Sequence, residues 1–487
     1  MTLKHRFTYG VEAPKGSTYF GLLPSLAASD GPVVACSATH FAIPYSGGGG
    51  PIYVSSLSST GKVEPGCSVL NAHKGAVLDM AFSPFHDNMM VAGSLDCTLS
   101  LWDVTAPAEM APLSIISTHR NSVRSVDFHP TVPSLVVSTA HDTAVHFSDI
   151  SAGRDVGALT LSASSGAASS DSVVNNVAFS YDGCILAATC KDKCLRFIDP
   201  RVSTGAAVVD TLSNPQALGR NSRVAWLSSQ SGGSALLTCG LGGLPSGQRV
   251  LSLWDARKGE VVMTRTVDTN SGQLYPLLDE TGLCFLVGKG DTVVKYYETT
   301  FLEPADGGMM SLDKSAEFQS SLEPFAGVCM LPKRCCDVRS VECARLLKLT
   351  SDSVVPLSFY TPRSDALKAY FQDDLFPPVR SHQIEDKCPT VADFFGEAAS
   401  SVFFPSLQSL QPEGLLSLSQ RPEADSRRVS VSRSDEFRLK QAEEANAQRL
   451  REEDFQRLQA LAAQNAAYHP NQSMNGGGED VEEDEWN

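Results

Sequence analysis

His73 and Asp96, and then His119 and Asp142, are the residues whose types first suggest chemistry. A histidine held by an aspartate is the pair that general-base catalysis uses. Here the pair recurs: His119 stands 46 residues after His73, Asp142 46 after Asp96, and Asp149 46 after Asp103. A catalytic pair is needed once, whereas a pair returning at fixed spacing belongs to a repeat. Buried His and Asp satisfy each other in a tight turn, and a Trp indole N–H adds a donor. His73, Asp96 and Trp102, with Ser94, therefore read as a polar pin inside one unit. His119 and Asp142 repeat it with Phe147 in place of the tryptophan, and Asp192 and Trp254 mark looser copies. Other chemistries lack their motifs. There is no Gly-x4-Gly-Lys-Ser/Thr phosphate loop and no Gly-x-Ser-x-Gly elbow. Gly47-Gly48-Gly49-Gly50 lies between two strand-like runs and leads into no helical pattern, so it reads as a turn. Of the 13 cysteines, Cys190 and Cys194 are four apart and Cys335-Cys336 are adjacent, and neither pair fits a four-ligand zinc site. No metal, cofactor or enzymatic activity is expected.

The elements that must carry these pins are short strands. Val77–Phe82 and Val123–Phe128 occupy equivalent places in two consecutive units, each with its own pin. Looser units carry Val177-Ala178-Phe179 with Asp192, Val224-Ala225-Trp226 with Leu253-Trp254-Asp255, and Leu277-Leu278 with Asp291. A repeat of ~40–50 residues ending in Trp-Asp is the signature of a WD-repeat β-propeller blade. Five units fill roughly residues 65–300. Strand-like runs at Val33–Ser37, His40–Pro44 and Ile52–Leu57 add an early blade. Ala326–Leu331, Ala344–Leu349 and Val354–Tyr360 add a late one. The expectation is an all-β, seven-bladed propeller with the N-terminal strand closing the ring, since an open one exposes sheet edges.

Composition supports a folded core: 42% hydrophobic and 19% charged residues exclude wholesale disorder. Lys+Arg 39 against Asp+Glu 55 gives a net charge of −16, which disfavours nucleic acid and anionic membrane as partners. No run reaches the ~18 apolar residues of a membrane span, and the first residues lead into no signal-peptide core. Cys36, Cys190, Cys239 and Cys284 sit in strand-like runs and read as buried, reduced thiols of a cytosolic protein.

Beyond residue 405 the pattern changes. Residues 406–434 are rich in Ser, Pro, Gln and Arg and read as a flexible linker. Residues 435–467, free of Gly and Pro as far as Gln464, read as an oligomerisation helix. Leu439, Ala442, Asn446, Leu450, Leu458 and Leu461 recur at roughly helical spacing, with a stutter before Leu450. Two, three and four strands all fit this seam. Residues 468–487 end in Glu482-Glu483-Asp484-Glu485-Trp486 and read as a solvated acidic tail.

Several segments lie outside any general WD-repeat pattern. Ser83-Pro84-Phe85-His86-Asp87-Asn88 leads into Val91–Thr98, and Gly282–Asp291 leads into Lys295-Tyr296-Tyr297-Glu298. Leu331-Pro332-Lys333-Arg334 precedes Glu342-Cys343-Ala344-Arg345, and Tyr360-Thr361-Pro362-Arg363 precedes Phe371–Pro378. In this order and spacing, over about residues 4–400, they resemble the coronin family of actin-associated proteins. The resemblance implies a propeller over residues 1–405, with an extension of about 358–405 packed on one face. It also implies binding of filamentous actin, a role in filament organisation and turnover, and location in the cytoplasm on the actin cytoskeleton. A WD-repeat scaffold with weak or no actin binding is the alternative.

Actin filaments are acidic, so the candidate contacts are basic: Lys4, Arg6, Lys74, Arg120, Arg124, Lys333 and Arg334, of which Lys333-Arg334 matches a family motif. The resemblance also implies a basic residue ahead of the first blade, but Leu22–Asp30 contains neither Lys nor Arg. Weak sites on an oligomer can still hold a filament through effective concentration. Arg438-Leu439-Lys440-Gln441-Ala442-Glu443 resembles the family's Arg-apolar-x-x-apolar-Glu trimer motif, with Ala442 where a larger aliphatic is usual. Arg427-Arg428-Val429-Ser430 suits a basic-directed kinase, making Ser430 a candidate phosphosite. The acidic tail is solubilising in its simplest reading. It is also similar to tails that dock on the branching actin-nucleation complex.

Overall fold

The structure, a computed structural model, describes residues 4–421 apart from 6, 26, 28, 64–68, 106–110, 118, 162–172, 203–207, 215–217, 228–234, 243–246, 302–309, 382–387 and 397–405. Arg6, Ser430 and the coil residues Arg438 to Leu461 lie outside the described residues. Within residues 1–419, which form one compact unit, the strands build seven antiparallel blades. Blades 2 and 3 show the plan. Val77–Phe82 is the inner strand of blade 2, followed outward by Met89–Ser94, Thr98–Asp103 and Ser114–Ser117. Blade 3 repeats this with Val123–Phe128, Leu135–Ala140, Ala144–Asp149 and Arg154–Thr160. The inner strands of the other blades are Ala35–Cys36, Val174–Phe179, Arg220–Trp226, Leu274–Leu278 and Gly327–Met330. They touch in ring order, and the last meets the first.

Closure follows the expected device. Tyr9–Glu12 pairs antiparallel with Ser353–Tyr360 and becomes the outer strand of blade 7, so the first and last strands of the ring share one sheet. Tyr19–Phe20 reinforces the seam, pairing with Ser353-Val354 on one side and, on the other, with Gly61-Lys62 from the connection between the last two strands of blade 1. The expected turn at Gly47–Gly50 links the second and third strands of blade 1. Gly50 has φ +62, and a Cβ there would lie 2.0 Å from the Gly75 carbonyl, so only glycine fits.

The core lies between blades. Blades 3 and 4 share Val137, Phe147, Val177 and Phe179, and blades 6 and 7 share Phe285, Tyr296, Leu346 and Phe359. Strands buried on both faces read as nearly continuous apolar runs, as in Leu283–Gly288.

Equivalent positions of neighbouring inner strands meet. The Val126 N–H donates to Asp79 at 3.0 Å and the Val224 N–H to Asn176 at 3.0 Å, so these strands run the same way. The propeller therefore has an entry end, formed by loops leading into inner strands and by turns between second and third strands. The opposite end is covered by the extension. There Arg380 lies near the axis and ties three blades together. Its N–H donates to Glu280 at 3.1 Å, its guanidinium donates to the carbonyls of Pro130 (3.2 Å) and Tyr181, and it stacks 4.0 Å over the Tyr181 ring. Thr390 caps the short helix Val391–Phe395, and Val391 and Phe394 enter the core of blades 3 and 4. Residues 406–421, linker-like in composition, belong partly to this layer. Leu407-Gln408 pairs with Val379-Arg380, and Leu410 and Leu415 pack on Phe371, Leu375 and Phe376.

Candidate interaction surface

The first pin has the geometry of a proton relay. The Trp102 indole N–H donates to Ser100 Oγ at 2.8 Å, Ser100 Oγ lies 2.7 Å from His73 Nε2, and His73 Nδ1 lies 3.2 Å from Asp96 Oδ2. Since Ser100 accepts from Trp102, its own proton points to Nε2, and His73 carries its proton on Nδ1, toward Asp96. Burial lowers the His73 pKa and keeps the ring neutral. Burial works against the Asp96 charge too, but the Thr98 hydroxyl and the Lys74 N–H hold that carboxyl below its usual range. Ser100 is 0% exposed and His73 is buried, so this serine, histidine and aspartate fasten a blade, with the serine out of reach of a substrate.

The structure adds one member to the pin. Ser94 donates to the Gly75 carbonyl at 2.9 Å and accepts the Asp96 N–H at 3.2 Å. Ser100 joins it because it stands two residues from Trp102 on the same strand and so on the same face. In blade 3, His119 Nε2 lies 2.9 Å from Ser138 Oγ and its Nδ1 3.5 Å from Asp142, with Phe147 buried nearby. In blade 4, Asp192 holds Arg196 rather than a histidine. In blade 5, the Trp254 N–H donates to Thr238 at 2.8 Å.

The six basic candidates among the described residues do not share a face. Lys74 and Arg120 are exposed at the entry end, in loops that lead into the inner strands of blades 2 and 3. Arg124 begins in the same region but turns inward. It is 8% exposed and binds Asp30 at 2.9 Å. Lys4 is exposed at the extension end, where its N–H donates to Glu298.

Lys333 corrects the expectation that it projects into solvent. It is 5% exposed, and its Nζ binds Asp279 at 2.8 Å and the Cys343 carbonyl, with Phe376 of the extension 5.3 Å away. Burial pulls the Lys333 pKa down, but Asp279 beside it raises it above the ordinary value, so Lys333 is charged. Its loop follows the inner strand of blade 7 and lies under the extension. Arg334, in the same loop, is exposed and reaches Asp87 of blade 2. These two residues stitch blade 7 to blades 6 and 2.

At the entry end the charges sort by position. Lys74, Arg120, Lys191 and Arg220 are exposed over blades 2 to 5, with Lys193 half-buried among them. Among the described residues the aspartates there are engaged: Asp96 with His73, Asp142 with His119, Asp192 with Arg196, and Asp268 and Asp291 with Arg249. Exposed Glu323 and Asp352 lie on the blade 7 side. Residues 29–31 cross the axis at this end. The Ser29 hydroxyl donates to Leu78 O, Arg124 and Arg223 hold Asp30, Tyr275 donates to Gly31 O, and Lys289 to Ser29 O. Lys191 and Arg220 escaped the sequence reading. Lys191 could have been found, because it precedes Asp192, the residue equivalent to Asp96 at a turn of the entry end. Beside Arg380 lies a cavity of about 430 Å³, lined also by Asp127, Arg223 and Pro276. Among the described residues no helix is long and apolar enough to cross a membrane.

Residues 66–103, 110–148 and 160–199 match the WD domain, G-beta repeat, and residues 3–62 match a family described as Domain of unknown function (DUF1899). Coronin-A of Dictyostelium discoideum is 34% identical over 428 residues, which cover 84% of this chain and 89% of that protein. The chain belongs to the coronin family. Coronin-2A of Mus musculus is likewise 34% identical, over 387 residues covering 78% of this coronin and 70% of the mouse protein. The crystal structure of the WD40 domain from Toxoplasma gondii coronin superposes with a TM-score of 0.71 at 24% identity, covering 85% of this chain and 99% of that one. That likeness shows the fold.

Proposed function

We propose that this coronin binds actin filaments through the entry end of its propeller and so takes part in filament organisation and turnover on the cytoplasmic actin cytoskeleton. The observation that carries the reading is the row of exposed Lys74, Arg120, Lys191 and Arg220 at an end whose aspartates are engaged internally. An acidic filament meets four exposed cations there although the chain as a whole is at −16. The extension occupies the other end. Self-association through residues 435–467 multiplies a weak grip, as in any tethered multivalent contact. Phosphorylation of Ser430 adds negative charge beside Arg427 and Arg428, and the acidic tail is a second contact for the branching actin-nucleation complex.

The test is co-sedimentation with actin filaments, comparing the full chain with one ending at Arg421. The full chain pellets at low salt, less at high salt, and more strongly than the shortened chain. Equal pelleting of the two removes the role of multivalency, and absence of pelleting by either removes filament binding. One observation favours the second reading, a WD-repeat scaffold without actin affinity. Leu22–Asp30 has no basic residue, and Asp30 itself is consumed by Arg124 and Arg223.

A further inference from the structure

Beside the ring-closing strand lies a cleft that propeller closure does not account for. Tyr9–Glu12 is the outer strand of blade 7, and among the described residues its far edge pairs with no strand. Tyr9 is 50% and Val11 44% exposed. The outer strands of blades 2, 3, 4 and 5 each expose a single large apolar residue, Ile115, Val156, Val209 and Val262. The register sets Val11 opposite Ser358 and Ser358 opposite Arg345, with Tyr9 opposite Tyr360 and their rings 5.9 Å apart. This face opens onto a cleft of about 690 Å³ against blade 1, whose walls include Val11, Tyr19, Tyr360, Arg334 and Arg345. The side chains of Arg345 and Arg334 are 32% and 30% exposed, while the glutamate that holds Arg345, Glu342, is fully buried. Glu12, the acidic residue in the wall, is occupied by the Ser321 N–H at 2.8 Å.

We propose that this cleft binds an extended peptide segment of a partner protein in which an aromatic residue is flanked by acidic ones. The volume is that of a side-chain pocket, too small for a folded domain. Tyr19, Tyr360 and Val11 offer a ring three apolar or aromatic walls. The exposed edges of the two guanidiniums suit carboxylates, which they bind in a plane, and they would repel a basic peptide. The edge of Tyr9–Glu12 offers backbone groups to an extended chain. The cleft lies on the circumference between blades 7 and 1, away from the basic loops over blades 2 to 5, so it does not rest on the filament reading.

The probe is a fluorescein-labelled synthetic peptide with one tryptophan between glutamates, titrated with the full chain and followed by anisotropy. Saturable binding is expected, weakened by salt and at least tenfold by Val11→Asp, but unchanged by Val209→Asp on the outer strand of blade 4. A peptide with lysines in place of the glutamates does not bind. Hydrogen exchange of the unsubstituted protein should slow at residues 9–13 and 356–360 when the peptide is added, a readout that needs no variant. No saturation, equal binding of the lysine peptide, or no protection of those residues overturns the proposal. Loss of filament pelleting by a folded Val11→Asp chain also overturns it, since the cleft would then belong to the filament site.

Discussion

Lys333 carries a charge into a place water does not reach, and Asp279 meets it there at 2.8 Å. Removing one partner of such a pair leaves the other charge buried and alone, which costs about 3–5 kcal/mol. Lys333→Met is therefore expected to lower unfolding stability by about that amount in chemical denaturation. A surface contact for a filament would instead lose pelleting at unchanged stability. His129 offers a test by pH. Its Nε2–H donates to Gly183 O at 3.0 Å, and its Nδ1 accepts from the N–H groups of Thr131 and Val132, so the ring is held neutral. Burial, chiefly, pushes its pKa down to about 3. Between that value and the unfolded value near 6.5, the unfolded chain binds the extra proton, and stability is lost as pH falls. From pH 6.5 to 5 this histidine alone costs about 2 kcal/mol. Asp79 acts in the opposite sense, because burial pushes its pKa up to about 6 and stability then falls as pH rises from about 4 to 6. Comparison of wild type with His129→Gln isolates the histidine: the variant's stability declines less steeply below pH 6.5. An unchanged slope would mean that His129 is protonated in the folded state.

Among the elements, the extension depends most on a few contacts. Arg380 joins loops of blades 3, 4 and 6 that share no strand pairing with one another. Arg380→Ala is expected to speed hydrogen exchange across residues 371–395 while the inner strands keep their protection. Equal protection throughout would mean that Phe394 and Phe376 hold the extension unaided. The blades themselves were legible in the sequence because His73 and His119, Asp96 and Asp142 keep a 46-residue step. Ser100 was not, because nothing in that step distinguishes it from Ser94 until the strand face is known. The layer formed by residues 406–421 was hidden for a different reason. Its Ser, Pro and Gln content is that of a linker, and what anchors it is backbone pairing with Val379-Arg380 and Phe371 together with the leucines Leu410 and Leu415. The direction of Lys333 was hidden as well. The residue type promises exposure, and only the neighbouring blade supplies the Asp279 that reverses it.

At the scale of the whole molecule, the ring turns an acidic chain into an object with two unlike ends. One end is closed by the extension. The other gathers exposed lysines and arginines because repeated turns return to the same place, and the pins in those turns hydrogen-bond the aspartates. The measurement that tests this most directly is filament co-sedimentation of the full chain with Lys74, Arg120, Lys191 and Arg220 all changed to Glu. A second chain carrying Arg339→Glu and Lys368→Glu at the extension end serves as its control. The first chain should lose pelleting at low salt by at least tenfold in affinity while keeping its melting temperature, and the second should pellet like wild type. Undiminished binding by the first, or loss confined to the second, would place the filament elsewhere and contradict the account.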